Sequence, residues 1–175
     1  MHTDYHLWRG VTELLDIYTV AFFGHREIEH FRGTEQALEM LIESLMREHE
    51  YVEFLVGRNG EFDQMTASTV RSVRNRLDCS NCSLVLVLPY MTAEFRDNEA
   101  SFLEYYDEVE VSAVAEGTHF KSAMQTRNRE MVDRADLVVF CVDHTSGGAY
   151  QTLKYAKRSQ KPYINISEKG TMLGL

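Results

Sequence analysis

Three short stretches of this chain put glycine beside side chains that hold anions or hydroxyls: "GHRE" (24–27), "GRNGEFD" (57–63) and "DHTSGG" (143–148). The second and third run straight into segments with helical spacing. At a helix N-terminus the first backbone N–H groups lack intrahelical partners and carry partial positive charge, so such a turn takes up a phosphate or carboxylate. Gly57, Gly60, Gly147 and Gly148 are therefore candidates to cradle a phosphate, with Arg58, Asn59 and Asp63 around the second turn and Ser146 ahead of the third. Gly24, His25 and Arg26 would form a polar floor at the first loop. Neither "GRNGEF" nor "SGGAYQ" matches GxGxxG or the Walker P-loop, and turn geometry alone could also account for these glycines.

A fourth stretch, "TRNREMVDRAD", carries Arg127, Asn128, Arg129, Asp133 and Arg134. At helical spacing these cannot all point one way, so part of the set should face the same crevice. An arginine that does so supplies a planar, permanent cation for a phosphate or carboxylate. Arg127→Ala is expected to abolish ligand binding with little loss of fold.

Other chemistries have less support. Among the seven histidines there is no HxxxH or HxH pair, and no metal or other cofactor is assigned. Ser146 lies outside a G-x-S-x-G elbow, which argues against acyl transfer. Cys79 and Cys82 form a lone CxxC without a second pair, ahead of a strand and not at the start of a helix, so they read as structural. Glu104, Asp107 and Glu108 read as a solvated acidic face.

These residues need a scaffold, and the hydrophobic pattern supplies one. "YTVAFF" (18–23), "VEFLVG" (52–57), "SLVLVL" (83–88), "EVEVSAV" (108–114), "DLVVFCV" (136–142) and "PYINI" (162–166) read as strands. Several are apolar on both faces, as strands covered by helices on both sides must be. Between them run segments of helical period: one from about Thr34, a plausible N-cap, with Leu38, Leu41, Ile42 and Leu45 on one face; one over 63–77; a short one near "EASFLEYY"; "KSAMQTRNREMVDRA"; and one opened by Gly147 and Gly148. Alternating strands and helices predict an α/β, Rossmann-like three-layer sandwich with a mainly parallel sheet. In such sheets ligands bind where the loops leave the carboxyl ends of the strands, and there the three glycine loops gather.

Composition sets the outer limits. The chain has 175 residues, 44% of them hydrophobic and 26% charged, with two prolines and a net charge of −9. That is an ordinary globular composition. Residues 1–17 read as an N-terminal extension with Trp8 as a candidate anchor, and 18–175 as a single Rossmann-like domain. The apolar runs are too short to span a bilayer and the first residues lack a signal peptide's pattern, so a cytoplasmic location is expected. The acidic balance disfavours nucleic acid as a partner, and the basic patches 71–76 and 154–161 read as solvated helix faces.

Together, in order, "FFGHRE", "FLVGRNGEFDQMTASTV", "SLVLVLPY", "TRNREMVDRADLVVFCVDHTSGG" and "YAKRSQKPYINI" resemble the SLOG superfamily of Rossmann-like proteins, which groups Smf/DprA with the cytokinin-activating LOG enzymes. The similarity covers roughly 18–166 and looks nearest to the YpsA-like branch, most specifically in "RNREMVDRADLVV" with "SGG". The resemblance implies a ligand carrying phosphate and ribose, held over the strand ends by Gly24, Arg26, Gly57, Gly60, Asp63, Arg127, Asn128, Asp133, Gly147 and Gly148. LOG enzymes cleave the N-glycosidic bond of nucleoside monophosphates with glutamates that follow their Gly-Gly. Here Ala149, Tyr150, Gln151, Thr152, Leu153 and Lys154 follow, and none can stabilise an oxocarbenium-like state as a carboxylate does. The second loop departs as well, with Arg58 and Asn59 where smaller residues are usual.

The expected function is binding of a nucleotide or nucleotide-derived ligand by a sensor-like or weakly catalytic module, with a homo-oligomer possible. The alternative is a phosphoribohydrolase of the LOG type in which Asp63 or Asp133 replaces the missing glutamate.

Overall fold

The computed structural model describes residues 15–113, 117–167 and 173–174. The expected anchor Trp8 and most of the expected N-terminal extension lie outside the described residues.

Six strands form a parallel sheet: β1 (Ile17–Gly24), β2 (Tyr51–Val56), β3 (Cys82–Leu88), β4 (Glu108–Val111), β5 (Leu137–Cys141) and β6 (Tyr163–Asn165). A two-residue strand, β7 (Leu173–Gly174), adds antiparallel to β6, so the order is β4-β3-β2-β1-β5-β6-β7. The helices are α1 (Phe31–Glu48), α2 (Glu61–Leu77), α3 (Ala93–Asp97), α4 (Glu99–Tyr105), α5 (Phe120–Arg134) and α6 (Gly147–Arg158). This is the Rossmann-like α/β architecture the alternating pattern predicts.

The sheet separates two apolar layers. Alternate residues of β1 divide between them: Val20 and Phe22 pack with Leu38, Ile42, Phe62 and Val70 of α1 and α2, and Ala21 and Phe23 pack with Met131, Val132, Leu153 and Ala156 of α5 and α6. Phe22, Phe54, Phe62 and Phe140 are fully buried, each contributing about 1.5–3 kcal/mol of transfer free energy. Strands sandwiched this way must be apolar on both faces, which is why "LVLVL" and "LVVFC" carry no polar alternation.

Some boundaries differ from the sequence expectation. Helix α1 starts at Phe31, with the Thr34 N–H donating to the His30 carbonyl at 3.0 Å, so Thr34 sits buried inside the first turn and does not cap it. Helix α3, with Thr92 as its side-chain cap, is an element the polar segment after Pro89 did not announce. Strand β4 stops at Val111. Its start is pinned by Asp107, whose carboxylate accepts from the Leu84 N–H at 2.7 Å and pairs with Arg74 at 2.6 Å. The acidic segment thus includes a structural tie.

What matters most for function is the reversal of order. From β1 the chain steps outward through β2, β3 and β4, then returns across the sheet to lay β5 on the other side of β1. Crossovers leave β1 and β5 toward opposite faces, so a crevice opens above their carboxyl ends.

Candidate functional site

That crevice is a cavity of about 480 Å³. Loops leaving β1, β2 and β5 form its walls with one face of α5. Gly24, His25, Arg26, Gly57, Asn59, Gly60, Asp63, Arg127, Asn128, Gly147 and Gly148 all line it. Eleven residues proposed from the sequence therefore converge, though they come from four separate parts of the chain.

Arg127 is the centre of the arrangement. It projects from the middle of α5, is only 3% exposed, and its Nη1 donates to the Val87 carbonyl at the end of β3 at 3.0 Å. Gly57 lies directly over it. A Cβ at that position would stand 2.6 Å from Arg127 Nη1 and 2.8 Å from Asp63 Oδ2, so a side chain there would displace both. Glycine thus lets the backbone leaving β2 cover a cation and its counter-charge.

Asp63 holds the start of α2 in place by accepting from the Asn59 N–H at 2.8 Å. Burial pushes its carboxyl above the ordinary carboxylate range, while Arg127 and the Asn59 N–H pull the other way. Burial likewise lowers the Arg127 pKa, opposed by Asp63. The two charges compensate one another.

Gly147 adopts a φ of +84°, in the left-handed region that side chains disfavour, which lets the chain turn from β5 into α6. Asn128 supports that turn from across the helix pair: its Nδ2 donates to Thr152 Oγ1 at 2.9 Å, and Thr152 donates on to the Gly148 carbonyl at 2.9 Å. Thr152 is a supporting residue that the sequence analysis missed, as nothing in a lone threonine one turn into a helix sets it apart. Met124, which lies one turn before Asn128 on α5, was missed for the same reason.

Three buried polar atoms of the lining make no hydrogen bond: Arg127 Nε, a donor, Asn128 Oδ1, an acceptor, and His25 Nε2 at the rim. Leaving such atoms unpaired costs about 1–3 kcal/mol each. A ligand offering one anionic oxygen and one hydroxyl would satisfy Arg127 Nε and Asn128 Oδ1.

Three proposed residues point elsewhere. Arg58 pairs with Glu94 at 2.9 Å and stacks over the Phe102 ring, drawn toward α3 and α4. Asp133 accepts from the Tyr155 hydroxyl at 2.8 Å on the outer side of the α5–α6 pair, since it is six residues beyond Arg127 and faces another way. Ser146 precedes α6 as an exposed residue whose side chain makes no capping bond. Of the two carboxylates considered as stand-ins for the missing glutamate, only Asp63 lines the cavity.

The basic patch 71–76 is engaged within the protein, whereas in 154–161 Lys154, Lys157 and Arg158 are exposed and only Lys161 is tied down by hydrogen bonds. Arg71 donates to the Tyr105 carbonyl, Arg74 pairs with Asp107, Arg76 with Glu39 and Glu43, and Lys161 donates to the Asp133 and Ala135 carbonyls. Arg129 lies over Tyr155, and Arg134 bridges Glu53 and Glu110. Cys79 and Cys82 are both free thiols. Among the described residues no helix is long and apolar enough to cross a membrane.

The fold and the crevice define a doubly wound α/β protein with a polar cavity at its topological switch point. Its architecture is shared with DNA processing protein A (DprA) from Streptococcus pneumoniae, at a TM-score of 0.62 and 16% identity over 87% of this chain. It is also shared with DNA processing protein A from Helicobacter pylori, at a TM-score of 0.61 and 17% identity over 89% of this chain. This chain spans 51% of the first protein and 68% of the second. No protein-family profile matches the chain, and no curated protein does.

The likeness corrects one expectation. Net negative charge was taken to disfavour nucleic acid, yet the H. pylori protein is described by its single-stranded DNA binding mode on this same fold. Net charge averages over the whole surface, whereas a polynucleotide responds to the local field of one groove.

Proposed function

We propose that the cavity binds the phosphate and ribose of a nucleotide unit, and that the chain is a ligand-binding module of the SLOG type. The observation that carries this reading is the pair of unsatisfied buried atoms, Arg127 Nε and Asn128 Oδ1, on the same cavity as the N-terminal turns of α2 and α6. A phosphate oxygen is the natural acceptor for the guanidinium and the helix N–H groups. A ribose hydroxyl is the natural donor to Asn128. At the outer end of the α5 face, Tyr90 and Phe120 meet edge to face at 6.3 Å and are both about half exposed, a surface on which a base can stack.

The test is calorimetric titration with nucleoside monophosphates, ribose 5-phosphate and inorganic phosphate. Nucleotide binding weakened at least about tenfold in Asn128→Ala, with competition by phosphate, is expected; no heat with any of them would refute the assignment.

A second reading takes the nucleotide unit as part of single-stranded DNA, favoured by the fold shared with the H. pylori protein. Anisotropy of a labelled oligothymidylate separates the two. Binding to the oligomer that weakens steeply as salt rises, with little affinity for mononucleotides, selects DNA. Of the two carboxylates considered for the LOG-type alternative only Asp63 lines the cavity, and release of free base from a nucleoside monophosphate is its readout.

A further inference from the structure

One group of side chains at the cavity rim has no role in the phosphate and ribose contacts proposed above. His25, from the loop after β1, and Asp143 with His144, from the loop after β5, bring two imidazole nitrogens and a carboxylate oxygen within 4.8 Å of one another. His144 Nδ1 is 2.6 Å and His25 Nε2 is 3.5 Å from the same atom, Asp143 Oδ1. A divalent ion of the zinc type binds nitrogen and oxygen at about 2.0–2.2 Å, so donors sharing one ion stand no more than about 4 Å apart. Both separations from Asp143 Oδ1 fall inside that span.

A second observation points the same way. His25 is only 9% exposed, and its Nε2 is buried without a hydrogen-bond partner, aimed at Asp143. A buried imidazole nitrogen left unpaired is costly unless something else occupies it. The same ring lies face to face with His144, centroids 3.5 Å apart. Sharing an ion therefore requires His144 to rotate out of the stack, and its side chain, 55% exposed on a loop, is free of packing that would prevent this.

We propose that His25, Asp143 and His144 form a binding site for one late first-row divalent cation, of which Zn²⁺ is the representative. Two imidazoles and a carboxylate match this class of ion, since harder Mg²⁺ and Ca²⁺ take oxygen sets. Three protein ligands leave a fourth position open. Because His25 and His144 both line the large cavity, that position faces the space assigned to the ligand, where it takes water or a ligand oxygen. The net charge of −9 favours cation uptake from solution.

The site stands independently of nucleotide binding, and the test uses the metal alone. Full-length protein, free of any affinity tag and stripped with a chelator, is titrated with ZnCl₂ in a calorimeter. One equivalent should bind. Losing even an outer-shell partner of a metal ligand costs 10–100-fold in affinity, so His144→Ala and Asp143→Ala should each weaken binding at least about tenfold. His144 is exposed, so its removal leaves the fold intact, and circular dichroism checks the Asp143 variant. Co²⁺ should give a visible absorption band that His144→Ala abolishes. No binding at micromolar Zn²⁺, or binding undiminished in both variants, would overturn the proposal; failure of the nucleotide panel alone would not.

Discussion

At the scale of single residues, Arg127 combines two roles that sequence reasoning kept apart. The expectation that Arg127→Ala would spare the fold does not survive its burial: the side chain supports β3 through Val87 and balances Asp63 beneath Gly57. Removing one member of a buried pair strands the other. Arg127→Ala should therefore cost about 3 kcal/mol in urea unfolding, the low end for such pairs because Asp63 is only partly buried. The double variant Arg127→Met with Asp63→Asn should recover most of that loss while still failing to bind nucleotide. Losses that simply add across the two sites would refute the coupling.

At the scale of elements, the contact between α1 and α2 is held at its surface by charge. Glu43 accepts from Arg47 in its own helix and from Arg76 in α2, and these bonds, Arg47's first, hold its carboxyl below the ordinary range. A lowered folded-state pKa means the stabilisation is complete above the usual carboxylate value of about 4.3 and disappears as pH falls through the folded value. Glu43→Gln should accordingly melt below the parent at pH 7, and the gap should close in more acidic buffer. It should also narrow in high salt, because the pair is exposed. A gap that persists at low pH would show that packing, and not charge, is responsible. The elements also show why the strands were readable: a strand covered on both faces is a continuous apolar run, and all six parallel strands were found from that pattern or from alternation. Helix α3 was not, because five residues around one phenylalanine make no period.

At the scale of the whole molecule, three layers decide which groups meet solvent. Cys82 and Cys141 lie within the packed sheet, and burial pushes both thiols up to about 11. Cys79, at the sheet margin beside Met46, is partly exposed. A disulfide-exchange reagent at pH 8 should titrate one thiol promptly in the native protein and all three after denaturation, since attack requires thiolate and access. Three fast equivalents in the native state would contradict the packing.

The sequence by itself determined the order and type of the main elements, the three glycine loops and the RN segment, because those features depend on local periodicity and turn chemistry. What tertiary structure decided is which side chains share a space. Asn59 and Gly60 could be placed by their turn, but the outward swing of Arg58 depends on Glu94 and Phe102, which are remote in the chain. Asp133 looked equivalent to Arg127 in a motif, and one helix angle sent it to Tyr155 instead. The loops that hold His25, Asp143 and His144 stood out in the sequence, but no spacing marked the three as one set of donors. Its members sit on loops that leave β1 and β5, and only the return of the chain across the sheet makes those strands neighbours.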